Sequence, residues 1–100
     1  MTIETTLNDT TATIVVSGKL TVATSPELEA EVQRLQGSAT SFDIDLANLE
    51  YVSSAGLRVL VGAQKLASRA GGELRLLHPS KDVRDIFEMT GLAEIMTIVD

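Results

Sequence analysis

Phe42-Asp43-Ile44-Asp45-Leu46 is followed, after Leu49-Glu50-Tyr51-Val52, by Ser53-Ser54-Ala55-Gly56-Leu57 and then by apolar positions at helical spacing as far as Ala70. Gly71-Gly72 breaks that rhythm, and Glu73-Leu74-Arg75-Leu76-Leu77 starts an alternating one. Successive strand side chains point to opposite faces. Phe42, Ile44 and Leu46 therefore share one face of a strand, and Asp43 and Asp45 the other. Past Ser54 the period changes. Leu57, Leu60 and Ala67 form one stripe, and Val59, Ala63, Leu66 and Ala70 the next, which makes a broad apolar face on a helix of about four turns. Arg58, Gly62, Lys65 and Arg69 line the opposite side. From Phe42 to Leu77 the pattern is strand, helix, strand, which predicts a right-handed parallel crossover. Strands covered on both faces read as continuous apolar runs, whereas these are half polar. The prediction is an α/β fold: a mixed four- to five-stranded sheet with helices mainly on one face and the other face wet.

The flanks extend that reading. Ile3, Thr5 and Leu7 alternate with Thr2, Glu4 and Thr6, and Asn8-Asp9 marks a turn. Ala12 to Val16 is a second β-branched run ending at Ser17-Gly18, so the pair predicts a hairpin. Thr24-Ser25-Pro26-Glu27 reads as a helix start, with Thr24 as the capping hydroxyl and Leu28, Val32 and Leu35 on the buried side, stopped by Gly37. A shorter helix follows Pro79-Ser80, burying Val83, Ile86 and Phe87 and stopping at Gly91. Ile95 to Val99 reads as a last strand. With no repeat, linker or low-complexity tract, residues 1–100 are expected to form one domain.

Composition removes most function classes. The chain has 100 residues, of which 14 are acidic and 8 basic, for a net charge of −6. That balance is wrong for gathering phosphate backbones or anionic lipid, so no nucleic acid is expected as partner. Aromatic residues make up 3%, too few for a base-stacking surface. There is no cysteine, hence no disulfide, thiolate metal site or thiol nucleophile, and His78 is the single histidine. No apolar run is long enough to insert in a membrane. Met1-Thr2-Ile3-Glu4 lacks the features of a signal peptide, so the expected compartment is the cytoplasm. No cofactor and no metal are expected. Asp43 and Asp45 resemble a metal pair only superficially, since alternate acids on a wet strand face keep a sheet soluble.

Two adjacent hydroxyls, Ser53 and Ser54, fall where a strand gives way to the longest helix. Either one is suited to cap that helix by accepting a backbone N–H. Either is equally placed to accept a phosphate, which at a helix start meets free N–H groups and the positive end of the helix dipole. A Gly-x-Ser-x-Gly nucleophile elbow is not formed, because Val52 stands at the first glycine position. His78 lies beyond a strand of its own, and nothing nominates a third triad member. The chain therefore reads as a non-enzyme. The stripe of Arg58, Lys65 and Arg69 is either the solvated side of an amphipathic helix or a dock for an acidic partner.

Asp45-Leu46 followed by Tyr51-Val52-Ser53-Ser54-Ala55-Gly56-Leu57 and Leu60 resembles the signature of the STAS domain, and more narrowly that of bacterial anti-sigma factor antagonists. The resemblance covers essentially the whole chain. Gly18-Lys19-Leu20 matches the family's turn after the second strand, Gly71-Gly72-Glu73-Leu74 the start of its fourth, and Val83, Phe87, Thr90, Gly91 and Leu92 its last helix. The resemblance implies a switch. The unphosphorylated domain binds an anti-sigma factor that is also a serine kinase, releasing a sigma factor; phosphorylation ends the binding, and a serine phosphatase restores it. The family's acceptor serine falls on Ser54, with Ser53 as the alternative. The frequent aspartate before the acceptor is Ser53 here, the aspartate often found after the Gly-x-Leu turn is Thr21, and Ala55 takes the motif's other hydroxyl position. Thr21, Ser53, Ser54, Ala55, Gly56, Leu57 and Arg58 are thus the candidate partner-binding residues, with Gly18 to Thr24 as a neighbouring rim. Free-standing domains of this kind also resemble accessory subunits of lipid transporters and scaffolds of stress-sensing assemblies, where the serine is only a cap.

Overall fold

The alternating stretches become strands, and the three helically periodic stretches become helices. The computed structural model describes residues 1–100. In chain order the elements are β1 (Thr2–Asn8), β2 (Thr11–Leu20), α1 (Ser25–Arg34), β3 (Ser41–Asp45), β4 (Leu49–Val52), α2 (Ser54–Arg69), β5 (Leu74–Leu77), α3 (Lys81–Met89), α4 (Leu92–Ile95) and β6 (Thr97–Val99). The sheet runs β1-β2-β3-β5-β6, with β4 beside the far end of β2. β1 and β2 form the antiparallel hairpin, turning through Asp9 at φ +55. Every other pairing is parallel, including β3 to β5 across α2.

Alternation sorts the faces as expected. Ala12, Ile14, Val16, Phe42, Ile44, Leu74 and Leu76 are buried against the helices. They meet Leu28 and Val32 of α1, Leu60, Ala63 and Ala67 of α2, and Val83 and Phe87 of α3. Thr13, Val15, Asp43, Asp45 and Arg75 stay half exposed on the uncovered face. There Asp43 and Arg75 are cross-strand partners: the guanidinium donates two hydrogen bonds to the carboxylate at 2.9 and 2.7 Å. Asp45 accepts from the Ala47 N–H at 3.0 Å. Both acids serve the sheet surface.

The structure departs from the expectations in four places. It has six strands, because Leu49–Val52 is itself a strand. β2 does not stop at Gly18, and Gly18-Lys19-Leu20 is no turn. Gly18, at φ +97, forms a bulge that shifts register, so β2 pairs first with β3 and then with β4. Thr24 does not cap α1; its hydroxyl donates to the Lys19 carbonyl at 2.8 Å and accepts from the Thr21 N–H at 2.8 Å, closing a loop. Finally, β6 begins at Thr97, because Leu92–Ile95 is a short helix.

The hairpin edge is tied to α1 by one ionic cluster. Arg34 donates to both Glu31 oxygens at 2.8 Å, and the Thr5 hydroxyl of β1 donates to the same carboxylate. The Arg34 hydrogen bonds first, and then Thr5, hold the Glu31 pKa down to about 2. A carboxylate with a depressed folded pKa stabilises above its unfolded pKa and loses that effect as pH falls through the folded one. Glu31→Gln is therefore expected to cost at most about 1 kcal/mol at neutral pH, allowing for solvent screening. The gap from the parent protein in urea unfolding should close between about pH 4.5 and pH 2.

Candidate functional site

β4 delivers the chain to the end of β2. The Ser53 N–H donates to the Leu20 carbonyl at 2.8 Å, which fixes the residue after β4 in extended geometry, φ −87 and ψ 172. From that position the Ser53 hydroxyl accepts the Gly56 N–H at 3.2 Å, and α2 begins. Ser53 is the cap. Ser54, the first helical residue, is exposed, and its hydroxyl makes no hydrogen bond within the protein. The cap reading thus falls on Ser53, and the Ser54 hydroxyl is left free.

Gly56 is buried under the helix start. A Cβ there would lie 2.8 Å from Leu20 Cγ, Leu20 Cδ2 and Val52 Cγ2. Gly56 therefore has a packing role whatever its part in binding: its missing side chain lets α2 settle onto the ends of β2 and β4. Thr21 lies in the loop that follows Leu20. That loop is cross-braced: the Thr24 N–H donates to the Thr21 hydroxyl at 3.3 Å, and the Ser25 N–H and hydroxyl both donate to the Thr21 carbonyl. It holds Val22 out in solvent at 73% exposure.

The sheet end thus brings together Thr21, Ser53, Ser54 and, one helical turn on, the exposed Arg58, with Ala55 and Leu57 half exposed between them. Two exposed apolar residues, Val22 within the expected rim and Tyr51 at the head of the signature, belong to the same end of the molecule, and the motif assigns neither a binding role of its own. Tyr51 pairs with Lys19 across β4 and β2 and projects at 46% exposure. Exposure of a large apolar residue on a short strand is the sequence signal that periodicity hides. The grooves of the surface lie elsewhere, along α2. No cluster of three or more histidine or acidic residues is arranged to hold a metal. No side chain is hydrogen-bonded to the Ser54 hydroxyl. An open, partly apolar rim around an exposed serine is suited to contact with another protein. No helix is long and apolar enough to cross a membrane.

Comparison with known proteins identifies the family and the fold. A family model described as "Mlab, STAS domain" matches residues 3–100. The chain belongs to the STAS-domain family. The anti-sigma-B factor antagonist of Staphylococcus aureus is 35% identical over 97 residues, 96% of this chain and 90% of that protein. The crystal structure of a putative anti-sigma factor antagonist from Thermotoga maritima superposes with a TM-score of 0.90 at 22% identity, covering 98% of this STAS domain and 86% of that chain. The anti-sigma factor antagonist SpoIIAA in its unphosphorylated form superposes with a TM-score of 0.85 at 22% identity, over 99% and 89% of the two chains. These likenesses establish the STAS fold, with its mixed sheet and helices on one face.

Proposed function

We propose that the protein is an anti-sigma factor antagonist. With Ser54 unmodified it binds an anti-sigma factor of the serine-kinase type, and a sigma factor is released. When that kinase transfers phosphate to Ser54 the complex is lost, and a serine phosphatase restores the binding form. The protein acts by binding, turns over no substrate, and works in the cytoplasm beside the transcription machinery.

The observation that carries this reading is the division of labour between the two serines. Ser53 spends its hydroxyl on the cap, whereas Ser54 presents a free one at the first position of α2. A phosphate there gains from the helix dipole and from N–H groups left without carbonyl partners. No acidic residue stands in the first turn of α2 to oppose it. The modification adds about −1.5 to −2 charges at the centre of the rim. Named relatives at 35% identity support the same role.

Phosphopeptide mapping tests it, on protein recovered from its native cell and on protein incubated with its kinase and ATP. Phosphate on Ser54 is the expected result. Phosphate on Ser53 alone, or on neither, overturns the assignment. Co-purification with a transporter ATPase, with Ser54 unmodified, would instead establish the accessory-subunit reading.

A further inference from the structure

α2 carries three cations, Arg58, Lys65 and Arg69, and no acid along its 16 residues, in a chain whose net charge is −6. At 100° per residue the three fall within an arc of about 40° and span about 16 Å of helix. All three are exposed. The cations elsewhere are mostly neutralised: Arg34 by Glu31 at 2.8 Å, Arg75 by Asp43 at 2.7 Å, Lys81 by Asp85 at 3.1 Å, and Arg84 by Asp100. Among the lysines and arginines, only Lys19 and the three cations of α2 have no ionic partner.

Through Arg69 the stripe borders a cleft that runs along α2, walled by α1 over one part and by residues 36–39 and β3 over the other. Two grooves, about 370 and 220 Å³, share Leu66 and Arg69 and have Phe42, Val32 and Val59 among their apolar walls. Glu29, on the α1 side, is the one acid that lines them. In the middle of the stripe stands Gly62. Glycine is unfavourable inside a helix, and here no atom lies within 4 Å of where a Cβ would be. Nothing inside the molecule requires that bare position.

We propose that the stripe and cleft are the docking surface for an acidic amphipathic helix of a protein partner. Its apolar face enters the cleft, its backbone passes close over Gly62, and its carboxylates meet Arg58, Lys65 and Arg69. The charge complementarity selects the occupant: an uncompensated row of cations on an otherwise acidic molecule, beside a trough whose lining is about half apolar. The surface stands on these residues alone. Its coupling to modification rests on the reading of Ser54 given above: Ser54 lies one turn before Arg58, so a phosphate there puts negative charge at the head of the stripe.

The probe is a synthetic Glu/Leu amphipathic peptide of about five turns, titrated into the isotope-labelled protein at low ionic strength and followed by NMR and fluorescence anisotropy. Amide shifts are expected along Arg58, Gly62, Lys65 and Arg69. Affinity should fall at least about tenfold in the Lys65→Glu/Arg69→Glu double variant and in Gly62→Leu, and should weaken as salt is raised. A Gln/Leu version of the peptide should not bind. The proposal is overturned by unchanged affinity in both variants, by shifts confined to Lys19, or by self-association that these variants abolish. Tighter binding to phosphatidylglycerol vesicles than to the peptide overturns it as well. If the stripe variants lose the peptide and Ser54→Asp does not, the docking surface stands and the coupling to Ser54 fails. If Ser54→Asp abolishes binding to the anti-sigma factor while the stripe variants keep the peptide, the docking surface fails and the switch stands.

Discussion

Replacing Ser54 with aspartate is expected to weaken the complex with the anti-sigma factor at least about 100-fold, or about 2.7 kcal/mol, without lowering the unfolding midpoint, which the helix dipole should if anything raise slightly. The hydroxyl of Ser54 has no partner inside the protein, so nothing in the fold depends on it. Its place at the centre of the rim means that an added charge must be desolvated against the partner or must face its carboxylates, and like charges brought together at an interface cost several kcal/mol. Aspartate carries one charge where a phosphate carries nearly two, so the phosphoprotein should bind more weakly still. Ser54→Ala should bind as the parent does and take no phosphate. Ser53→Ala should show the opposite pattern, with stability down by about 1 kcal/mol from loss of the cap and both binding and phosphorylation at Ser54 retained. Calorimetric titration and urea unfolding of the three variants separate these effects. Equal affinities for Ser54→Asp and Ser54→Ala would eliminate the charge mechanism.

That dissection required coordinates. Two serines in a row before an apolar period both satisfy the spacing of a cap, and sequence offers no way to choose. The choice is made by a long-range contact, the Ser53 N–H on the Leu20 carbonyl, which fixes the last extended residue. The same limit explains Thr24. Its position before Ser25-Pro26 is right for a cap, yet the carbonyl of Lys19, five residues upstream, takes its hydroxyl first. By contrast Phe42–Leu46 and Glu73–Leu77 are legible because they alternate, completely in the first and as far as Leu76 in the second, and one whole face is buried. Leu49–Val52 is not, because its ends are buried while Glu50 and Tyr51 between them are exposed, a pattern with no period of two. It becomes a strand only because the bulge at Gly18 turns the end of β2 toward it. Ile95 illustrates the reverse error. A β-branched run suggests a strand throughout, but its first residue completes a turn of helix that starts after Gly91. Local periodicity thus announces the layers of this fold, while the junctions, where the candidate site lies, are decided by contacts distant in sequence.

Gly56→Val tests one such junction and is expected to cost about 3 kcal/mol, at the upper end of what an overpacked core position does. A Cβ at residue 56 would lie 2.8 Å from atoms of Leu20 and Val52. Both side chains are among the most buried in the molecule, with Leu20 at 0% and Val52 at 2% exposure, so neither has space to yield. The first turn of α2 must lift instead, and with it go the Ser53 hydrogen bonds to the Leu20 carbonyl and from the Gly56 N–H. Gly62→Val supplies the control in the same helix. That position opens onto solvent with nothing within 4 Å, so the same substitution should change stability by no more than about 0.5 kcal/mol. Partner affinity should fall in Gly56→Val together with the urea midpoint, because Thr21 and Ser54 are held in register through Leu20 and Ser53. Ser54→Asp should lower affinity alone. A Gly56→Val protein as stable as the parent would mean that α2 is not seated on Leu20 and Val52, and the rigid presentation of Ser54 would lose its structural basis.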